Sequence, residues 1–211
     1  PVITALDFAA NRIDEGREAV LAGSLTDAGV LDSHTVTVNW GDGSPMQQLQ
    51  LGVGVLTFEA RHVYADDNPT STGADDYVAS VVVLDKDGGV TQDTRSVTVV
   101  NVAPQADLTM TALASGLRRD VTLDGRYGDA GLPDTQSFVV DWGDGTSSTP
   151  TLDTVHKTFR ATHRFNLSTV SQVFTLRVTG TDDDGGVGVG TLTSTNQGLN
   201  RAPVAEADTV Y

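Results

Sequence analysis

The sequence contains no cysteine and few basic residues, and these two absences exclude several kinds of site and partner. Without cysteine, the chain has no disulfide bond, no thiolate metal ligand and no thiol nucleophile. Its 13 lysine and arginine residues are outnumbered by 28 aspartate and glutamate residues, which gives a formal net charge of −15. This charge argues against nucleic acid and against an anionic membrane surface. It indicates a cation-binding or highly soluble extracellular protein, with solubility alone as the simpler interpretation.

Aromatic residues and long apolar segments are also scarce. Aromatics make up 6% of the chain and all hydrophobic residues 38%, so a core must consist mainly of Val, Leu, Ile and Ala. No apolar run is long enough for a membrane helix, and no signal peptide is recognisable. No segment has a convincing helical period, whereas Gly, Thr and Val recur throughout, which favours strands and turns.

The chain contains two copies of one repeat. The first reads GSLTDAGVLDSHTVTVNWGDGS from Gly23 to Ser44, and the second reads GRYGDAGLPDTQSFVVDWGDGT from Gly125 to Thr146. Three later motifs recur in the same order, namely His62–Tyr64 with His163–Phe165, Asp85–Val90 with Asp182–Val187, and Asn101–Pro104 with Asn200–Pro203. We predict one domain over residues 1–103, a second over 104–202, and a linker or first strand of a following domain over 203–211. The sequence therefore reads as an excerpt of a longer protein.

Alternating polar and apolar residues predict the strands. Thr35–Trp40 and Ser137–Trp142 each place three apolar side chains on one face, and a Gly-Asp-Gly hairpin turn follows each segment. Other predicted strands are Tyr77–Leu84, Thr94–Val100 and Val173–Val178. About seven short strands per hundred residues are typical of an immunoglobulin-like sandwich. We predict an all-β fold of two tandem Ig-like antiparallel β-sandwiches, arranged end to end.

Four motifs, each present twice and in the same order, together resemble PKD-like domains. They are Trp-Gly-Asp-Gly, His-x-Tyr/Phe, the Asp-x-Asp-Gly turn and the Asn-x-Ala-Pro linker. The two copies are most similar to tandem PKD-like repeats of large bacterial surface and secreted proteins, and the tail resembles the opening of a cadherin-like or bacterial Ig-like module. The resemblance implies a spacer, adhesion or interaction module and, in some members, calcium near the inter-domain linker. Departures are Asn39 where the second copy has Asp141, and an acidic insertion in the first copy at Asp66–Asp76.

Acidic residues before two strands predict a calcium site at the junction of the copies. In an Ig-like sandwich the loop before the Trp strand and the loop before the last strand meet where the chain enters, and calcium requires six to eight oxygen ligands. The predicted ligands at the junction are Asn101, Asp129, Asp134, Asp182 and Asp184. The corresponding site in the first copy would use Asp27, Asp32, Asp85 and Asp87. The alternative is that these Asp-Gly segments are turns only. The Asp66–Asp76 insertion is either a further cation site or a mobile tip.

The remaining conspicuous residues favour structural roles. Asp42 and Asp144 are predicted to bond the backbone of their turns, Trp40 and Trp142 to fill the cores rather than stack on sugars, and the recurring histidines to bond backbone. Paired carboxylates can indicate a glycosidase, but the same acidic set occurs twice and no hydrolase motif is present. We therefore predict no catalytic activity.

The sequence as a whole indicates a monomeric, non-catalytic extracellular module, secreted or on the cell surface, that calcium stiffens and whose partners are neighbouring domains of the same chain. The alternative is a module that binds carbohydrate or protein on a cell surface. That alternative requires an exposed aromatic patch or an open sheet edge.

Overall fold

A computed structural model describes residues 1–115, 118–165 and 172–196 of the chain. Over these ranges the chain forms sixteen strands and no helix, so none of the described residues belongs to a helix that could cross a membrane. The predicted linker or strand at 203–211 and the second Asn-x-Ala-Pro motif lie outside the described residues.

Each copy of the repeat contributes eight strands. Those of the first copy are β1 (Val2–Phe8), β2 (Arg12–Asp14), β3 (Glu18–Thr26), β4 (His34–Asn39), β5 (Gln47–Leu51), β6 (Thr57–Val63), β7 (Ala74–Asp85) and β8 (Val90–Val100). Those of the second are β9 (Gln105–Ser115), β10 (Arg118–Gly128), β11 (Ser137–Asp141), β12 (Ser147–Ser148), β13 (Thr151–Asp153), β14 (Thr158–Phe165), β15 (Gln172–Thr181) and β16 (Val187–Asn196).

The chain divides into two compact units. The first contains Pro1–Ala103 together with the loops Asp129–Thr135 and Asp182–Gly186, and the second contains the rest of the second copy. Residues of both copies are therefore combined in the first unit. The domain boundaries predicted from the repeat stay a prediction.

The first unit consists of two sheets that enclose a core. One sheet has the strand order β1-β3-β6 and the other β2-β8-β7-β4-β5. All pairs are antiparallel except β2 with β8, where Ile13 lies opposite Val99 in a parallel register. Burial alternates along β4 as predicted, because Val36 and Val38 are fully buried while the residues between them are not.

The second unit repeats this plan with two four-stranded sheets, ordered β13-β14-β10-β9 and β12-β11-β15-β16. Phe138, Val140 and Trp142 are buried on one face of the Trp strand, as their spacing predicted. Leu123 and Leu176 complete the centre of this core. The prediction of an all-β fold with Ig-like sandwiches is thus confirmed, with eight strands per copy where about seven were expected.

Candidate metal centre

Six carboxylates of the first unit form three overlapping groups, and in each group three ligand atoms lie within 4.8 Å of one another. The groups are Glu15–Asp66–Asp67, Glu15–Asp129–Asp134 and Asp66–Asp134–Asp184. We call these six residues the six-carboxylate cluster. Its members come from four separate segments of the sequence, so tertiary structure alone brings them together.

Glu15 reaches the cluster because of the short parallel strand β2. The Glu15 N–H donates to the carbonyl of Val100 at 2.9 Å, and the next N–H, of Gly16, donates to the carbonyl of Tyr64 at 2.8 Å. Gly16 has a φ of +69°, which favours glycine at this turn. The Glu15 Oε1 atom accepts a hydrogen bond from the Val102 N–H at 2.7 Å, which fixes the side chain against the linker.

Asp66 and Asp67 lie in the acidic insertion that follows β6. Tyr77 anchors this segment, since its hydroxyl donates to the carbonyl of Asp66 at 3.2 Å. The Asp66 carboxylate accepts a hydrogen bond from the Asn68 N–H at 3.1 Å, as in an Asx turn. The insertion therefore begins with a hydrogen-bonded turn that lies within the cluster.

Two loops of the second copy complete the site. The Leu132 N–H donates to the carbonyl of Ala65 at 3.2 Å, which holds the loop Asp129–Thr135 beside the acidic insertion. The Thr135 N–H donates to Asp183 Oδ1 at 2.8 Å and joins this loop to Asp182–Gly186. Backbone hydrogen bonds therefore place three of the six carboxylates, those of Asp129, Asp134 and Asp184.

Two members of this cluster, Asp67 and Glu15, are almost completely buried. Asp67 is 0% exposed and Glu15 is 1% exposed. Neither oxygen of the Asp67 carboxylate, nor Glu15 Oε2, has a hydrogen-bond partner among the described residues. Burying an ionised carboxylate without a partner is costly by several kcal/mol, and native proteins pair such groups or coordinate them to a metal.

The electrostatics agree with this burial. Burial raises the pKa of Glu15 to about 7, and the charges of Asp67 and Asp129 add to the effect. The pKa of Asp134 rises to about 8, first through burial and then through repulsion from Glu15. Burial also raises the pKa of Asp67 to about 6, with Asp184 as the strongest repelling charge. These carboxylates oppose one another's ionisation and create a strong negative potential.

The structure divides the five residues predicted at the junction into two sets. Asp129, Asp134 and Asp184 belong to the six-carboxylate cluster. Asp182 and Asn101 belong to none of its groups. They lie together against Gly186, where an added Cβ would stand 2.4 Å from Asp182 Oδ2 and 2.9 Å from Asn101 Nδ2. These two side-chain atoms are buried and have no hydrogen-bond partner among the described residues.

Three members of the cluster were not among the residues predicted from the sequence. Asp66 and Asp67 lie in the insertion whose role was left open between a cation site and a mobile tip. Glu15 was missed, because a single acidic residue before a glycine in an exposed-looking segment carries no local signal.

The acidic residues predicted in the first copy form a different kind of cluster. Ligand atoms of Asp27, Asp32 and Asp85 lie within 4.8 Å of one another, but Asp87 is not in this group. The Asp87 side chain is 70% exposed and pairs with Lys86. Lys86 also pairs with Asp32, with the ammonium nitrogen 2.8 Å from Oδ1.

Hydrogen bonds already compensate the charges of this first-copy cluster. The Gly29 N–H and His34 donate to Asp27 and lower its pKa to about 2. The Gly89 N–H donates to Asp85 at 2.8 Å, and this bond is the main cause of a lowered pKa for Asp85. The chain itself therefore stabilises the ionised state here, whereas the pKa values of Glu15, Asp67 and Asp134 in the six-carboxylate cluster are raised.

The tryptophans and histidines form a repeated structural arrangement. Trp40 and Trp142 are buried, as predicted, and a sugar-stacking role is excluded because at most 1% of either residue is exposed. The prediction that the histidines bond backbone is wrong. His62 Nε2 lies 2.6 Å from Asp42 Oδ2, and His163 Nε2 lies 2.7 Å from the equivalent oxygen of Asp144.

Each histidine is held between the tryptophan and the Gly-Asp-Gly turn. The His62 ring stacks on Trp40 with centroids 4.9 Å apart, and His163 stacks on Trp142 at 4.8 Å. The predicted turn role of Asp42 is confirmed, because its Oδ1 accepts hydrogen bonds from the N–H and the hydroxyl of Ser44. The arrangement closes the hairpin over the indole.

We expect Asp42→Asn to destabilise the chain by about 1–3 kcal/mol at neutral pH, because hydrogen bonds to a charged acceptor are replaced by weaker ones. Burial alone would raise the pKa of Asp42, but the hydrogen bonds from Ser44 and His62 outweigh it and lower the pKa. The stabilisation is therefore present above pH 4 and is lost as the pH falls below the ordinary aspartate pKa of about 3.9.

Urea unfolding of the parent and Asp42→Asn between pH 2 and 7 measures this effect. The difference between the two proteins should shrink toward pH 2. A difference that stays constant over this range would contradict the assignment. Asp87→Asn, at an exposed position, serves as the control.

The second unit contains a surface groove with a volume of about 830 Å³. It is lined by residues of β10, β13 and β14, including the ion pair of Arg160 with Asp124. None of the buried polar atoms without a hydrogen-bond partner in the described ranges belongs to this lining. The residues that line the groove therefore do not indicate a particular class of ligand.

No protein-family model matches the sequence, and no curated protein matches it. Solved structures with similar folds include a tetra-tandem repeat from the extending region of a large adhesion protein, at 16% identity and a TM-score of 0.41 over 92% of this chain and 47% of that one. An ectodomain fragment of ICAM-5 is 15% identical, with a TM-score of 0.41 over 91% of this chain and 53% of that one. The FN1–FN3 domains of chicken CNTN1 are 7% identical, with a TM-score of 0.31 over 93% of this chain and 67% of that one.

This chain thus spans about half the length of two of these three structures. Similarities at such TM-scores carry no argument about activity or partners, and the fold assignment depends on the sheets described above. The likeness to PKD-like domains and a bacterial origin stay predictions.

Proposed function

We propose that the chain is a non-catalytic spacer or adhesion module of an extracellular surface or secreted protein, and that calcium bound at the six-carboxylate cluster stiffens it. The observation that carries this proposal is the Asp67 carboxylate, which is fully buried and has no hydrogen-bond partner among the described residues. A cation supplies the missing compensation.

The donor set favours calcium over other cations. All six side chains offer carboxylate oxygens, and no histidine joins the three groups found among the described residues. Oxygen donors suit calcium, magnesium and manganese, whereas zinc and copper favour sites with nitrogen or sulfur. Calcium accepts six to eight oxygens in a flexible geometry, while magnesium requires a nearly ideal octahedron and retains several waters. A crowded, irregular set of carboxylates therefore fits calcium best.

Calcium bound here would link four segments of the first unit. It would cross-link the turn after β2 and the acidic insertion of the first copy to the loops Asp129–Thr135 and Asp182–Gly186 of the second copy. Without the cation, mutual repulsion of the carboxylates would separate these segments. Binding would therefore replace the repulsion between the carboxylates by attraction to the cation and hold these segments rigidly together. A spacer requires such rigidity.

Thermal unfolding in calcium and in chelator tests the proposal. Saturation at about 100 times Kd adds about 3 kcal/mol to the free energy of unfolding. For a chain of this size that shift corresponds to about 5–10 °C in the unfolding temperature. We expect Asp67→Asn, which keeps the shape of the side chain, to lose most of this gain.

Asp87→Asn is the matched control, because Asp87 is exposed and lies outside every carboxylate group. It should retain the full calcium response. Unfolding curves of the parent protein that coincide in calcium and in chelator would contradict the proposal.

A further inference from the structure

Two stacked tyrosines connect the acidic insertion of the first copy to the core. Tyr77, on β7, is buried, and its ring stacks on that of Tyr64 with the centroids 4.7 Å apart and the planes inclined by 27°. The Tyr64 hydroxyl donates to the carbonyl of Trp40 at 3.0 Å, which fixes the Tyr64 ring in turn. The Tyr77 hydroxyl therefore reaches Asp66 from a tightly packed part of the core, whose packing holds its position.

The hydrogen bond from Tyr77 acts on the peptide unit that joins two carboxylates of the cluster. Its acceptor, the carbonyl of Asp66, belongs to the same planar unit as the N–H of Asp67. Rotation of this unit would redirect both side chains. Because Asp66, Asp67 and Glu15 form one of the three carboxylate groups, the orientation of this unit determines whether these carboxylates meet.

The second copy shows which part of this arrangement the core itself needs. Phe165 and Phe174 occupy the positions of Tyr64 and Tyr77, and their rings stack with the centroids 4.4 Å apart. The ring pair therefore stacks in the second copy without either hydroxyl. The segment of the second copy that corresponds to the insertion, residues 166–172, contains no acidic residue. The Tyr77 hydroxyl thus occurs in the copy that has the acidic insertion.

We propose that Tyr77 is a positioning residue for cation binding, whose hydroxyl holds the peptide unit between Asp66 and Asp67 in the orientation that brings both carboxylates to Glu15. This inference rests on the proposed calcium function and adds a residue that acts through the ligands. Without the hydroxyl, the peptide unit populates other orientations, and calcium binds only the molecules in the competent one. The apparent affinity is reduced in proportion to the competent fraction.

Isothermal titration calorimetry with calcium, on the whole chain and on Tyr77→Phe, tests this role. The substitution keeps the ring and removes only the hydroxyl. We expect it to raise the Kd about 5-fold, which corresponds to about 1 kcal/mol, the usual net contribution of one hydrogen bond. Asp67→Asn should abolish the same binding isotherm and thereby assign it to the cluster.

Tyr64→Phe is the matched control, because it removes the other hydroxyl of the ring pair, which donates to Trp40 and not to the insertion. Both tyrosine variants should lower the unfolding temperature in chelator, since each loses one buried hydrogen bond. Tyr64→Phe should nevertheless leave the calcium Kd unchanged. Both variants should fold, because the second copy forms the same stack from two phenylalanines.

The outcomes separate this inference from the proposed function. A Kd of Tyr77→Phe equal to that of the parent would overturn the positioning role and leave calcium binding intact. Equal increases in Kd for Tyr77→Phe and Tyr64→Phe would do the same, because the effect would then belong to the core. A parent that binds no calcium, or an isotherm that Asp67→Asn leaves unchanged, would overturn both.

Discussion

In chelator, raising the pH from 5 to 8 is expected to lower the unfolding temperature of the chain by about 10 °C or more. Folding raises the pKa of Glu15 to about 7, of Asp67 to about 6 and of Asp134 to about 8. The folded protein thus holds protons that the unfolded chain releases near pH 4, so the contribution of these three groups to stability is greatest below pH 4 and is lost as the pH rises through 6–8. Each pKa unit corresponds to about 1.4 kcal/mol, and each kcal/mol to about 2–4 °C.

Calcium is expected to reverse the direction of this pH dependence. Calcium and protons compete for the same carboxylates, so saturating calcium stabilises the folded state most at pH 8, where the carboxylates are ionised. Unfolding temperatures at pH 5, 6.5 and 8, in calcium and in chelator, provide the measurement.

Glu15→Gln is the informative variant, because it removes one of the shifted groups without changing the shape of the side chain. It should flatten the pH dependence in chelator. A parent protein that becomes more stable from pH 5 to pH 8 in chelator would show that the cluster is not a source of electrostatic strain.

Replacement of Trp142 by alanine is expected to destabilise the second unit by about 3–5 kcal/mol, the usual cost of truncating a buried large aromatic residue. Trp142 is fully buried, and its indole N–H donates to Ser148 Oγ at 2.9 Å. The ring also supports His163 by stacking and Phe165 through an edge contact. Its removal leaves a cavity and two unsupported rings at the base of the hairpin.

Urea unfolding followed by circular dichroism measures this loss. Val155→Ala is the control in the same unit, because Val155 is 83% exposed and its truncation should change stability by less than about 0.5 kcal/mol. A loss below 1 kcal/mol for Trp142→Ala would mean that the indole does not support the core.

The two acidic clusters show why composition could not identify the cation site. Both contain aspartates of the repeated motifs, and both bring three or more carboxylates together. In the first copy, Lys86 and the Gly89 N–H compensate the charges. In the six-carboxylate cluster, burial raises the pKa values of Glu15 and Asp134 instead. Lys86 has an acidic counterpart, Asp183, in the second copy, and this single difference was visible in the sequence.

The sequence by itself determined the all-β class, the faces of the Trp strands and the positions of the acidic loops. These features follow from local patterns, since alternation sets which side chains point inward, and Asp-Gly segments set where the chain turns. The burial of Val36, Val38 and Trp40 agrees with that alternation. Each motif appears twice in the sequence, and this duplication supports the predictions.

Only the tertiary structure decided which carboxylates meet. Glu15 reaches the cluster through the parallel pairing of β2 with β8 and the turn at Gly16, neither of which has a signature in the sequence. Asp67 is fully buried, and neither of its carboxylate oxygens has a hydrogen-bond partner among the described residues. The burial of these carboxylates and their convergence depend on contacts between residues far apart in sequence. Local sequence patterns do not predict such contacts.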